Sequence, residues 1–101
     1  MTFQNITTKD LKKKLTAGEP LLILDVRTDL EFRRRHIEDA KWIPLNELAG
    51  RYQELDPAQV TVVVCEHGVR SLNACHFLAQ VGFQNIYNML GGMSLWTGLE
   101  E

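Results

Sequence analysis

The sequence predicts an α/β fold: a mainly parallel central sheet of four to five strands with helices on both faces. Three observations predict it. Two segments, Leu21–Leu24 and Val60–Cys65, are apolar at nearly every position, as expected of strands covered on both sides. Amphipathic segments with helical spacing lie between the strand candidates. Turn residues such as Gly18-Glu19-Pro20, Asp56-Pro57 and Gly82 separate the elements.

The elements follow in order. Phe3–Ile6 is a candidate edge strand. Thr7 is an N-cap with Asp10 three residues on, and Ile6 and Leu11 fit a hydrophobic staple. Leu11 and Leu15 form the buried stripe of that helix, which ends at Gly18-Glu19-Pro20. The strand Leu21–Leu24 comes next, and Asp25-Val26-Arg27 leaves its C-terminal end. Thr28 caps a short helix, with Glu31 three residues later. Ala40–Ile43 is a short strand stopped by Pro44. Leu45, Leu48, Tyr52 and Leu55 mark one further helix by their spacing. Val60–Cys65 is the strongest strand, being rich in β-branched residues. A helix from about 70 to 81 follows, with Ala74, Cys75 and Leu78 on one face. Asn85–Met89 is the last strand, and Gly91-Gly92 leads into a short helix containing Trp96.

With 101 residues, the chain is expected to be a single domain over 1–101. The net charge of −2 argues against a general nucleic-acid or membrane-surface binder, which needs a basic face. The N-terminus lacks a basic start followed by an apolar stretch, and no apolar run is long enough to span a bilayer. The expected compartment is the cytoplasm. In that reducing setting Cys65 and Cys75 are not expected to form a structural disulfide.

Cys65 stands where chemistry is expected, at the end of the most buried strand and just before a helix. The connection is Cys65-Glu66-His67-Gly68-Val69-Arg70-Ser71. A short turn of this kind can aim several backbone N–H groups at one point, and Gly68 permits the backbone angles this needs. The positive end of the helix, and Arg70 if it points inward, would favour a thiolate. A bland alternative is a small buried cysteine at a strand end.

At this point the sequence resembles the rhodanese domain family. The Cys65–Ser71 segment looks like that family's active-site loop. Leu24-Asp25-Val26-Arg27, Glu31-Phe32, His36-Ile37, Ala40 and Ile43-Pro44 match its first half in order and spacing. Gly82-Phe83, Asn85-Ile86 and Gly91-Gly92 with Trp96 match the second half. The resemblance implies a sulfurtransferase without a cofactor or metal. Cys65 would attack a sulfane donor such as thiosulfate and pass the sulfur, as a persulfide, to cyanide, a thiol or a protein acceptor. The amides of Glu66, His67, Gly68, Val69, Arg70 and Ser71 would cradle the terminal sulfur. A sulfur carrier or interaction module with low turnover is an alternative, motivated by the small chain and the basic run Arg33-Arg34-Arg35. A cysteine phosphatase or arsenate reductase is a lesser one. Those enzymes hold a tetrahedral oxyanion in a Cys-x5-Arg loop, whereas Cys65 and Arg70 enclose one residue fewer.

The other polar residues have structural readings beside functional ones. Asp25 and Arg27 either support the loop or form an ion pair, with Glu31 a candidate partner for Arg27. His36 is expected to be a hydrogen-bonded structural residue. His67 either tunes the pocket or points to solvent, Glu66 is expected to face out, and Val69 to shape the rim. Arg33–Arg35 read as a solvated helix face. Where Arg35 and Asp39 stand the family usually has glycine, and Arg accepts positive φ less readily than Asp. Cys75 is expected to be a packed core thiol. Cys65, His67, Cys75 and His76 lack the paired spacing of a zinc site.

Overall fold

The computed structural model describes residues 2–98, so the ends of the expected span 1–101 lie outside the described residues. Five parallel strands form one sheet in the order β1-β5-β4-β2-β3. They are β1 (Gln4–Ile6), β2 (Leu22–Asp25), β3 (Lys41–Trp42), β4 (Thr61–Val64) and β5 (Ile86–Met89). The helices are α1 (Thr8–Thr16), α2 (Asp29–Arg34), α3 (Leu45–Arg51) and α4 (Val69–Gln80). Among the described residues no helix is long and apolar enough to cross a membrane.

Alternation along the strands divides the core. Leu24, Val63 and Ile86 face one side, where they pack with Leu48, Ala74, Cys75 and Leu78 from α3 and α4. Ile23, Val62, Val64 and Met89 face the other, where Leu11 of α1, Ile37, Met93 and Trp96 cover them. The uniform hydrophobicity of β2 and β4 follows from this two-sided cover.

The helix caps form as the sequence predicts. The Asp10 amide donates to Thr7 Oγ1 at 3.1 Å. Thr28 and Glu31 make a reciprocal capping box at the start of α2. Elsewhere the boundaries differ. The segment expected as one helix through Leu55 splits into α3 and a separate 3-10 turn, Tyr52–Glu54. Trp96 lies just after a 3-10 turn, Gly92–Leu95, and not inside a helix. Cys65, expected as the last residue of the strand, lies just beyond β4.

The chain runs from β2 outward to β3 and then returns to β4 on the other side of β2. The carboxyl ends of β2 and β4 therefore meet at a topological switch point, the usual position of a binding crevice in such sheets. Asp25 ends β2, and Cys65 follows β4.

Candidate active site

The loop after β4 is shaped by two close approaches of backbone. Gly68 is the N-cap of α4 at φ 98°, in the left-handed region, and its Cα faces the Gly91 amide. Gly92 presses against the loop from the far side, and a Cβ there would collide with the carbonyl oxygens of Cys65 and Glu66. The contact is hydrogen-bonded: the amides of Met93 and Ser94 donate to the carbonyls of Cys65 (2.8 Å) and Glu66 (3.0 Å). The C-terminal 3-10 turn thus holds the loop by its carbonyls.

Cys65 is 1% exposed. The Gly68 amide donates to its Sγ at 3.0 Å, and the thiol lies 3.3 Å from Ser71 Oγ, which it can reach as a donor. Ser71 Oγ in turn donates to Asn88 Oδ1 at 2.5 Å. The first N–H groups of α4, beginning at Val69, have no acceptor within the helix and lie at its positive end. The second cysteine, Cys75, is fully buried among apolar side chains, and burial beside Cys65 pushes its thiol up to about 12.

Arg70 turns its guanidinium to Glu31. Its two terminal nitrogens grip both oxygens of Glu31, at 2.7 and 2.8 Å. This fork, with the Thr28 amide adding a further hydrogen bond, holds the Glu31 carboxyl down at about 2 against an ordinary 4.5. The same pairing raises Arg70. Glu31 therefore closes the start of α2 and positions Arg70 at once.

Arg27 and Asp25 form a buried pair at the end of β2, with Arg27 Nη2 2.8 Å from Asp25 Oδ2. Arg27 also reaches Glu66 Oε1 at 3.1 Å and the Arg35 carbonyl at 2.7 Å. Burial alone would lower the Arg27 guanidinium, but the hydrogen bonds and charges of Asp25 and Glu66 outweigh it and the net direction is up. Two expectations are corrected here. Glu31 is the partner of Arg70 and not of Arg27. Glu66 does not face out; its carboxylate turns back to Arg27, because a buried guanidinium next to a loop attracts the nearest carboxylate.

The remaining residues separate cleanly. His67 is exposed, and so is Val69, at 67%. His36 Nδ1 lies 2.8 Å from the Phe32 carbonyl, and its ring stacks on Phe32, a structural role. Arg33 and Arg34 are exposed, and Arg33 pairs with Asp29 along α2. Arg35 departs from the expected solvated face. It lies beyond α2 with extended backbone at φ −170°, so it carries no strain where the family usually has glycine. Its side chain bonds the carbonyls of Met93 and Trp96 and so ties the segment after α2 to the 3-10 turn that grips the loop. Asp39 takes the left-handed conformation at φ 65°.

Sequence reasoning missed Asn88, Arg35 and the backbone of Met93 and Ser94. Asn88 had a signal, being polar in the middle of a strand covered on both sides. Beside the loop lies an open groove of about 390 Å³, lined by Arg27, Thr28, Trp42, Pro44, Leu45 and Arg70 among others.

A family model for the rhodanese-like domain matches residues 7–99. The chain belongs to the rhodanese-like domain family. Among its relatives, YtwF of Bacillus subtilis is 36% identical, with 97% of this chain and 94% of that protein covered. The thiosulfate sulfurtransferase GlpE of Shewanella oneidensis is 32% identical over 94% of this chain and 93% of its own length. The crystal structure of a rhodanese-like domain protein from Staphylococcus aureus is similar at a TM-score of 0.88 and 35% identity, covering 93% and 91% of the two chains. The rhodanese-like fold accounts for the parallel five-stranded sheet and for the loop between β4 and α4.

Proposed function

We propose that this protein is a sulfurtransferase that carries sulfane sulfur on Cys65. The observation that carries the reading is the Gly68 amide aimed at Cys65 Sγ, 3.0 Å away, at the start of α4. The name of the GlpE relative supports a donor of the thiosulfate kind.

In the first half-reaction the ionised Cys65 sulfur attacks the outer sulfur of thiosulfate. A new S–S bond forms, the S–S bond of thiosulfate breaks, and sulfite leaves with the electron pair. In the second, an acceptor thiolate, either a small thiol or a protein cysteine, attacks the outer sulfur of the persulfide. That bond breaks toward Cys65, whose thiolate is restored. Both steps move negative charge onto sulfur beside the loop amides of Glu66 through Ser71. Amides fixed in advance stabilise such charge without reorganising. Arg70 and the buried Asp25–Arg27–Glu66 network keep that loop in place from the β2 side. The six-residue Cys65–Arg70 ring suits one sulfur atom better than the tetrahedral oxyanion of a phosphatase.

Incubation with thiosulfate followed by intact mass measurement tests the reading. The expected product is heavier by one sulfur atom, reverts on addition of cyanide, and does not form in Cys65→Ala. If wild-type protein stays unmodified with thiosulfate and with persulfide donors alike, sulfur transfer at Cys65 is wrong.

A further inference from the structure

The Cys65 sulfur is not the end of its hydrogen-bond network. Ser71 is fully buried and Asn88 nearly so, and both are polar residues inside an otherwise apolar layer. Ser71 Oγ has one proton, and at 2.5 Å that proton is given to Asn88 Oδ1. Ser71 can therefore only accept from Cys65, an arrangement that suits the neutral thiol. A thiolate or persulfide needs the opposite, a hydroxyl that donates to sulfur. Asn88 holds the means of reversal. Its amide has an oxygen at one end and an NH2 at the other, and the Nδ2 end now lies 3.5 Å from Oδ1 of Asn5, an exposed residue on β1. Turned over, Asn88 would donate to Ser71 Oγ and release the hydroxyl proton toward sulfur.

We propose that Asn88 is a positioning residue for Cys65: it sets the direction of the Ser71 hydroxyl, so that Ser71 accepts from the thiol and donates to the sulfur anion. This deepens the reading of Cys65 as nucleophile and rests on it. Among the titratable groups near the sulfur, Arg70 and the neutral Cys75 come from α4, whereas Glu66 of the loop turns to Arg27 and His67 is exposed. Glu31 acts through Arg70, and Asp25 and Arg27 act through Glu66. The 3-10 turn offers only the Met93 and Ser94 backbone. None of these groups contacts Asn88 in place of Ser71, so the pathway through Ser71 can be separated from them by mutation.

The probe is iodoacetamide, whose reaction with Cys65 is followed by intact mass against pH, with circular dichroism to confirm folding. Asn88→Asp can only accept, and it traps the hydroxyl proton away from sulfur. The pH of half-maximal alkylation is expected to rise by roughly one unit, about tenfold slower reaction at a fixed pH below it. Asn88→Leu can neither accept nor donate, leaves the proton for sulfur, and is expected to lower that pH. In a Ser71→Ala background both shifts should shrink below half their size. Shifts of the same size with and without Ser71, or movement of both variants in the same direction, would overturn the proposal. If Asn88→Asp does not fold, the Asn88→Leu and Ser71→Ala pair decides alone: no shift in Asn88→Leu refutes it. Alkylation needs no sulfur donor, so a failure here is distinct from a failure of sulfur transfer.

Discussion

Glu31 shows how one side chain serves two parts of the site. It completes the cap of α2 through Thr28 and grips Arg70 with both oxygens. Its proton binds at about 2 in the folded chain and near the ordinary 4.5 once these partners are lost. Between those values the unfolded chain holds more protons, so stability falls as pH falls through this window and is complete above 4.5. Glu31→Gln should flatten this part of the acid-unfolding curve, measured by urea melts at stepped pH. An unchanged slope would show that the pair contributes nothing to acid stability. The variant also frees Arg70 from its carboxylate, which makes it useful beside the thiosulfate assay.

At the scale of elements, the loop between β4 and α4 is held from two sides. The amide side belongs to α4, starting at Gly68. The carbonyl side belongs to the 3-10 turn Gly92–Leu95, which Arg35 fastens from beyond α2. Gly92 permits that approach because it has no Cβ and sits at φ 67°. Gly92→Ala is expected to destabilise the protein by about 2 kcal/mol or more, from the collision and the left-handed backbone together. It should also lower the yield of Cys65 persulfide, because the turn could no longer hold the two loop carbonyls. A thermal melt and the thiosulfate mass assay read the two effects. A variant that melts like wild type and still takes up sulfur fully would show that the close approach is dispensable.

At the scale of the whole molecule, the sheet is the fixed frame. β2 and β4 pair along four residues each, from Leu22↔Thr61 to Asp25↔Val64, and put Asp25 and Cys65 at adjoining strand ends. Leu24 is fully buried in the middle of this pairing, against the layer of α3 and α4. Leu24→Ala should cost roughly 2–5 kcal/mol, a large share of the stability of a domain this small. Leu30, 68% exposed on α2, should cost under about 0.5 kcal/mol on the same change. Urea denaturation of both variants checks the contrast, and equal losses would contradict the two-layer core described above.

Much of this was legible in the chain itself. The strands at 22–25 and 61–64, the caps Thr7 and Thr28, and the place of Cys65 at a strand end all follow from local rules. Those rules work because hydrophobic periodicity and capping act over a few neighbouring residues. The pairing of Asp25 with Arg27, two residues apart, was among the readings, but the distant partners of the charged groups were not legible: Arg27 also takes Glu66, and Arg70 takes Glu31, each across 39 positions of sequence. The same holds for Arg35 on the carbonyls of the last turn and for Asn88 beneath Ser71. Long flexible side chains choose partners by which strand ends and helix starts the fold brings together. By itself, therefore, the sequence determined the sheet, its two covered faces and the position of Cys65 at a strand end. Only the tertiary structure decided how the charges around that cysteine are paired, because pairing depends on distances that exist only after β2, β4 and the C-terminal turn have packed.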